Sequence, residues 1–232
     1  MVRSMSWRNR FGSVLALFVT LFCLRSSVYS DASQSVYHHG EDDTKRIALT
    51  FDDGPSAAYT PQILDLLSEY NVKATFFVIG TNAESYPELI RREIEEGHEI
   101  GNHTYTHRRI STMGDKELCN EISSCEEALK ANDYSPYLFR PPEGRYDKND
   151  VDTLTRLGYS VVLWPVDTDD WSGVTTEHIL NQIRGSIGNG DIILCHDFLT
   201  EKCHTVEALR IIIPELLSQG YEFVTVSELL GL

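Results

Sequence analysis

The sequence predicts an α/β fold, a distorted (β/α) barrel of about seven parallel strands with outer helices. Two observations lead to this prediction. From residue 46 onward, short apolar runs alternate with segments whose apolar residues recur at helical spacing, as in a parallel sheet covered by helices. The alternation repeats about seven times, and this many units in one domain favour a nearly closed barrel over an open sheet.

The predicted strands are the apolar runs at residues 47–51, 74–79, 99–101, 137–140, 160–165, 192–195 and 223–226. Helical patterns lie between them. Leu118, Ile122, Cys125 and Leu129 recur on a single face, and the segments 63–67 and 209–217 have comparable apolar spacing. Gly220 follows the last of these segments and is a typical helix-ending residue.

The first 30 residues have the composition of a secretory signal peptide. Arg3, Arg8 and Arg10 precede the apolar stretch 11–24, and small residues follow before position 30. The stretch is short for a membrane span, which takes about 20 apolar residues, although an uncleaved anchor is the alternative. We therefore expect a secreted or cell-surface protein with a signal peptide at 1–30, a leader at 31–45 and one folded domain at 46–232.

The composition limits the partners and the cysteine chemistry. A formal net charge of −15 argues against binding nucleic acid, whose phosphates need cationic partners. Nothing in the sequence indicates a required protein partner, and we expect a monomer. Cys119 and Cys125 are too far apart on one predicted helix to form a disulfide, because the rise alone is about 9 Å. Cys195 and Cys203 flank a short loop, and their pairing is left open.

Polar side chains follow five of the predicted strands at the points where the strands end. Because the carboxyl ends of parallel barrel strands meet on one rim, these residues should converge there. They are Asp52, Asp53, His103, His107, Arg140, Asp167, His196 and Asp197.

Two pairs among these residues together suggest a metal site. His103 and His107 are four residues apart, which on a helical turn would place both imidazoles about 6 Å apart on one face. Asp52 and Asp53 end a strand, where alternation would aim them differently, so that one carboxylate could bind an ion while the other acts as a base. Two histidines and a carboxylate leave coordination positions open for water and substrate, as in catalytic zinc sites.

Five motifs in order make a specific resemblance. They are TFDDGP at 50–55, HTYTH at 103–107, RPPEG at 140–144, DTDDW at 167–171 and ILCHD at 193–197. The sequence resembles the polysaccharide deacetylase family, also called the NodB-homology domain or carbohydrate esterase family 4, from about residue 46 to residue 229. The resemblance implies that 46–232 is a catalytic domain that uses a divalent metal, most often zinc and sometimes cobalt or another ion, to hydrolyse N-acetyl groups of a glycan.

The resemblance also implies a role for each matching residue. Asp53, His103 and His107 match the metal ligands, and Asp52 matches the general base. Arg140 matches the residue that orients this base. His196 matches the general acid that protonates the leaving amine, and Asp167 matches the carboxylate that tunes it. The residues expected to contact substrate are Pro142, Glu143, Trp171 and Leu194.

Position 143 departs from the family pattern, which has Tyr there, whereas this chain has Glu143. The backbone N–H that helps to hold the oxyanion does not depend on the side chain, so catalysis should persist. Peptidoglycan N-acetylglucosamine is the expected substrate. The alternatives are chitin or its oligomers, an O-acetyl ester such as that of xylan, and a catalytically dead glycan-binding protein.

Overall fold

The structure, a computed structural model, describes residues 36–41, 43–198 and 204–232. The predicted signal peptide, the first part of the leader and Cys203 lie outside these residues. Export therefore stays a prediction, and the Cys195–Cys203 pairing stays open. Within the described part of the chain, no helix is both long enough and apolar enough to cross a membrane.

A parallel sheet forms the centre of the domain, as the sequence predicts. In spatial order its strands are β1 (Val36–Tyr37), β6 (Ser160–Val162), β5 (Leu138–Phe139), β4 (Glu99–Asn102), β3 (Thr75–Val78), β2 (Arg46–Asp52), β8 (Ile192–His196) and β7 (Val166–Asp167). A ninth strand, β9 (Glu222–Phe223), pairs with the start of β2. The described residues form no pairing between β1 and β7, so the barrel is incomplete.

Helices connect the strands and cover the outer face of the sheet, except that the last helix places Val226 and Leu229 against the interior cluster. They are α1 (Thr60–Tyr70), α2 (Gly80–Ser85), α3 (Pro87–Glu95), α4 (Asp115–Lys130), α5 (Lys148–Arg156), α6 (Thr176–Ser186), α7 (Thr205–Ser218) and α8 (Val226–Leu230). Three short 3₁₀ turns, η1 (Ile110–Thr112), η2 (Pro142–Gly144) and η3 (Asp170–Ser172), lie in the loops that follow β4, β5 and β7.

Six of the seven predicted apolar runs match a strand, and the prediction missed β1 and β7. The seventh run, 223–226, shares only Phe223 with β9, and its last residue, Val226, begins α8. Each missed strand is only two residues long. β1 lies in the segment predicted as a loose leader, where its pairing with Val161 and Val162 of β6 ties the start of the described chain into the sheet. β7 directly follows Pro165, which the prediction assigned to the end of the preceding strand.

The central strand β2 shows how packing positions the site. Its alternate residues Ile47, Leu49 and Phe51 face the large core between sheet and helices, while Ala48 packs in the barrel interior with Phe77, Leu138 and Ile192. Thr50 and Asp52 continue the Ala48 side of the strand toward its carboxyl end. The interior therefore changes from apolar to polar along β2, and the polar end holds the candidate site.

Candidate active site

The sheet register aligns the ends of neighbouring strands. Asp52 at the end of β2 is the register partner of His196 at the end of β8. The alignment continues across the next strands. The N–H of His103, just after β4, donates to the carbonyl of Val78, and the N–H of Arg140, just after β5, donates to the carbonyl of Asn102. The predicted rim of polar residues is therefore a consequence of continuous parallel pairing.

A cavity of about 480 Å³ opens at this rim. It is lined by Asp52, Asp53, His103, His107, Glu143, Arg145, Trp164, Asp167, Trp171, Leu194 and His196. Arg140 lies beneath it and is fully buried. Pro142 is buried and does not line the cavity, so of the four predicted substrate contacts only Glu143, Trp171 and Leu194 face it. Trp171 is exposed over more than half of its surface, at 58%.

Asp53, His103 and His107 converge as the sequence predicts. The Oδ1 atom of Asp53 lies 3.4 Å from Nε2 of His103 and 3.2 Å from Nε2 of His107. Two ligands about 2.0–2.1 Å from a tetrahedral zinc ion are about 3.3 Å apart, which matches both distances. The same Oδ1 atom is buried and has no hydrogen-bond partner among the described residues. The donor set therefore fits a divalent ion.

A hydrogen bond to His103 and the surroundings of His107 prepare the two imidazoles for this role. Nδ1 of His103 lies 2.7 Å from the carbonyl oxygen of Arg140, so that nitrogen carries the proton and Nε2 is free to bind an ion. Burial and the neighbouring His103 imidazole lower the pKa of His107, which favours its neutral ring. Burial opposes ionisation of Asp53, but the two histidines bring its pKa below the usual value, so it is a carboxylate.

The segment that carries both histidines is not the helical turn that the sequence predicts. Thr104 and His107 have left-handed φ angles of 67° and 58°, and no helix forms there. Side chains hold the loop instead. The N–H of Thr104 donates to Oδ1 of Asn102 at 2.8 Å, and the carboxylate of Glu121 accepts from the N–H groups of Tyr105 and Thr106. The ring centroids of the two histidines are 5.0 Å apart, so the loop brings the two imidazoles as close together as a helical turn would.

Asp53 reaches the site because of its backbone conformation rather than by strand alternation. Its φ is 75°, in the left-handed region, so the chain turns immediately after β2. The side chain of Asn82 donates to the carbonyl of Asp53 at 2.7 Å and fixes the turn. Asp52 and Asp53 therefore both face the cavity but have different partners. This suits their expected roles, Asp52 as the base and Asp53 as a metal ligand.

Asp52 is bound to Arg140 inside the barrel. Nη1 of Arg140 lies 2.7 Å from Oδ1 of Asp52 and also donates to Thr50 at 2.8 Å. The guanidinium lies 4.0 Å from the ring centroid of Phe77 and 5.2 Å from that of Trp164, which adds cation–π attraction. Arg140 thus pairs with Asp52 and fixes its orientation, the positioning role that the resemblance implies for it.

The prediction that Asp167 tunes His196 is wrong, because Asp170 holds that position. Oδ1 of Asp170 accepts from Nδ1 of His196 at 2.7 Å, and Oδ2 accepts from the backbone N–H of His196 at 2.9 Å. The carboxylate of Asp167 accepts instead from Trp164 and from the N–H of Asp169. Burial lowers the pKa of His196, but the hydrogen bond and charge of Asp170 outweigh it and raise the pKa to about 9. His196 is therefore protonated at neutral pH and can act as an acid.

Glu143 is paired with two arginines at the mouth of the cavity. Both of its carboxylate oxygens lie 2.7 Å from Nε of Arg109, and Oε2 lies 3.5 Å from Nε of Arg145. The hydrogen bond from Arg109 lowers the pKa of Glu143, so it is a carboxylate. Its φ of 58° and that of Gly144, 64°, form a left-handed turn that aims the side chain outward.

Comparison with known proteins identifies the family. The polysaccharide deacetylase model matches residues 39–162, more than half of the chain. The chain belongs to the polysaccharide deacetylase family. This family is metal-dependent, and Asp53, His103 and His107 form the group of described residues that can hold the ion.

Several relatives share nearly the whole domain. A peptidoglycan-N-acetylglucosamine deacetylase of Bacillus cereus is 45% identical over 188 residues, which cover 80% of this chain and 88% of the relative. The crystal structure of the Bc1960 peptidoglycan N-acetylglucosamine deacetylase superposes with a TM-score of 0.83 at 39% identity, covering 85% of this chain and 94% of that one. A family 4 pseudoenzyme of Bacillus anthracis has a TM-score of 0.79 at 28% identity, with coverages of 85% and 69%.

Sequence reasoning missed three residues that shape the site. Asp170 lies in the same DTDDW motif as Asp167, and only the turn into η3 decides which carboxylate meets His196. Glu121 lies on α4 at the edge of its apolar stripe, next to Ile122, and this half-buried position was its one signal. Arg145 directly follows the RPPEG motif and lines the cavity.

Proposed function

We propose that this protein is a zinc-dependent deacetylase that hydrolyses the N-acetyl group of N-acetylglucosamine in peptidoglycan. The observation that carries the proposal is the shared cavity. A group that can hold a divalent ion lies beside a carboxylate, Asp52, and a protonated imidazole, His196. Amide hydrolysis requires this combination, because water must lose a proton and the departing amine must gain one.

The residues divide the chemistry in the following way. A divalent ion held by Asp53, His103 and His107 would lower the pKa of water and polarise the acetyl carbonyl. Asp52 accepts the proton of the attacking water. His196, whose Nδ1 donates to Asp170, presents Nε2 to the cavity and protonates the nitrogen as the amide bond breaks.

Zinc is the ion we propose for this group of two nitrogens and one oxygen, since that donor set suits it. Cobalt has similar preferences for nitrogen donors and is expected to replace it. A wholly oxygen-bound ion such as magnesium fits the two imidazoles less well. Removal of the ion by a chelator should abolish turnover, and added zinc should restore it.

Peptidoglycan is the proposed substrate because the Bacillus cereus relative of 45% identity carries that activity in its name. Chitin oligomers present the same N-acetylglucosamine unit and are the second candidate. An ester oxygen leaves more readily than an amide nitrogen and depends less on a proton donor, so the protonated His196 favours an amide. A catalytically dead glycan-binding protein is disfavoured because ligands, base and acid are all present.

Acetate release from three substrates tests the proposal. Purified protein loaded with zinc is incubated with peptidoglycan, chitopentaose and acetylxylan, and free acetate is measured with and without a chelator. We expect release from peptidoglycan that the chelator abolishes. Release from acetylxylan alone would assign an esterase. Zinc binding without acetate release from any of the three would contradict the enzymatic function.

We further propose that the protein is exported, on the basis of the basic, apolar and small-residue order of residues 1–30. Fractionation of cells that express the full chain tests this. Recovery outside the membrane with an N-terminus near residue 31 indicates cleavage of the signal. Recovery in the membrane fraction with Met1 intact indicates an anchor, and recovery in the cytosol contradicts export.

A further inference from the structure

A charged cluster at the cavity mouth, consisting of Arg109, Glu143 and Arg145, has no part in the chemistry described above. The carboxylate of Glu143 is held by Nε of Arg109 through both of its oxygens. Arg145 lies farther away, with its Nε 3.5 Å from Oε2 of Glu143, and its side chain is 63% exposed. Among the described residues, no hydrogen bond forms to the side chain of Arg145 although it lines the cavity.

The cluster carries one net positive charge, because two guanidinium groups share one carboxylate. This is unusual for a chain with a formal net charge of −15. The neighbouring Arg108 differs, since it pairs with Glu117 of α4 and does not line the cavity. Glu143 therefore does not make the mouth repel anions, as a carboxylate alone at this position would. It positions one guanidinium and leaves the other with free donors.

A guanidinium with unoccupied N–H groups at the mouth of a binding cavity is suited to a carboxylate, which it can bind through two parallel hydrogen bonds. A glycan chain longer than the cavity must extend past this mouth. Glycans built only of N-acetylglucosamine carry no charge, whereas muramic acid residues carry a carboxylate on the lactyl ether or on the attached peptide. The charge at the mouth therefore has a matching group in one class of substrate and none in the other.

We propose that the Arg109–Glu143–Arg145 cluster binds a carboxylate of the substrate through Arg145, and so makes the enzyme prefer acidic, muramic-acid-containing glycans over neutral ones. This inference rests on the proposed deacetylase function and adds a specificity-determining residue to it.

The test measures kcat/KM for acetate release at low salt on four tetrasaccharides. One is chitotetraose, one alternates N-acetylglucosamine with muramic acid bearing a free lactyl carboxylate, one has that carboxylate amidated, and one carries peptides on the lactyl groups. The unaltered enzyme should prefer a carboxylate-bearing glycan over the amidated form. Preference for the free lactyl form assigns the contact to the lactyl group. Preference for the peptide form alone assigns it to the peptide.

Three variants should change the preference for the acidic glycan in different directions. Arg145→Gln should lower the ratio of kcat/KM for the acidic glycan over the amidated glycan by about fivefold, the upper range for one exposed ion pair. Glu143→Gln should raise that ratio, because it removes the negative charge of the cluster. Arg108→Gln is the matched control, and the ratio should not change. Salt at about 1 M should suppress these differences by screening them.

Equal ratios in Arg145→Gln and the unaltered enzyme would overturn the inference, as would shifts of the same sign in Arg145→Gln and Glu143→Gln. In either case acetate release itself would persist, so the proposed function would stand. Absence of acetate release from all four glycans by the zinc-loaded, unaltered enzyme would instead refute the deacetylase function and this inference with it.

Discussion

Replacing Asp170 by Asn tests which carboxylate keeps His196 protonated. Asp170 is buried, with 2% of its surface exposed, and its two oxygens serve different donors. Oδ1 accepts from Nδ1 of His196 at 2.7 Å, while Oδ2 accepts from the backbone N–H of His196 and from Thr205. An asparagine keeps the shape but removes the charge, and its amide cannot accept on both sides.

The size of the effect follows from the hydrogen bond that is lost. A hydrogen bond to a charged group contributes about 1.5–3 kcal/mol, and one pKa unit corresponds to about 1.36 kcal/mol. The pKa of His196, raised to about 9 by Asp170 against the effect of burial, should therefore fall by about one to two units. His196 acts in its protonated form, so activity is lost as pH rises through this pKa. The alkaline limb of the pH profile should move down by the same amount.

The assay is the pH dependence of kcat/KM for acetate release at saturating zinc, for the unaltered enzyme, Asp170→Asn and Asp167→Asn. The second variant is the matched control, because Asp167 lies in the same motif and accepts from Trp164 rather than from His196. Its alkaline limb should stay in place. A shift of the limb in Asp167→Asn with none in Asp170→Asn would refute the assignment. Circular dichroism at each pH excludes unfolding as the cause.

Three further predictions concern the ion and its support. Asp52→Asn should reduce turnover by about 10²–10⁴-fold and keep its zinc, whereas His103→Ala should lose both turnover and bound zinc. Acetate release and metal analysis measure the two quantities. Glu121→Gln should weaken zinc binding by about tenfold in a competition titration, because it loosens the loop of the two histidines, whereas Glu117→Gln on the same helix should not. Arg140→Met should lower the free energy of unfolding in urea by about 3–5 kcal/mol, since it leaves the buried Asp52 unpaired, and the addition of Asp52→Leu should recover most of that loss. Unchanged zinc affinity in Glu121→Gln, or an unaltered urea midpoint in Arg140→Met, would contradict the corresponding argument.

Strand periodicity was sufficient to predict the parallel sheet, because buried parallel strands are continuous apolar runs that are easily distinguished from amphipathic helices. It was insufficient for the sheet edges. β1 comprises only Val36–Tyr37 in a polar stretch, and its pairing partners lie more than a hundred residues away. A two-residue strand has no period, so its existence depends on a long-range hydrogen-bonding partner that local sequence cannot reveal.

The identities of the metal ligands were predictable, whereas the backbone that positions them was not. The spacing of His103 and His107 indicated that both bind one ion. However, Thr104 and His107 adopt left-handed conformations rather than a helical turn. Such conformations are strained for residues other than glycine and persist only where surrounding hydrogen bonds enforce them. Here the enforcing groups come from Asn102 and Glu121, one before the loop and one on α4.

A similar limit explains the error at Asp167. Its place just after a predicted strand and the motif match both favour the first aspartate of DTDDW, which lies on β7. The chain then turns at Asp169, whose φ is 56°, and η3 carries Asp170 back beneath β8. The choice among three acids within four residues is thus made by a single left-handed residue and by the position of His196. Both depend on tertiary structure.

The charges of the site explain why its aspartates are not interchangeable. A buried carboxylate without a cation costs several kcal/mol, so each needs a partner. Asp52 has Arg140, and Asp170 has the protonated His196. Asp53 has two imidazoles but no permanent cation among the described residues, and its Oδ1 atom has no hydrogen-bond donor. A divalent ion is therefore most stabilising at Asp53, and Asp52, already neutralised from beneath, keeps an oxygen with which to accept a proton.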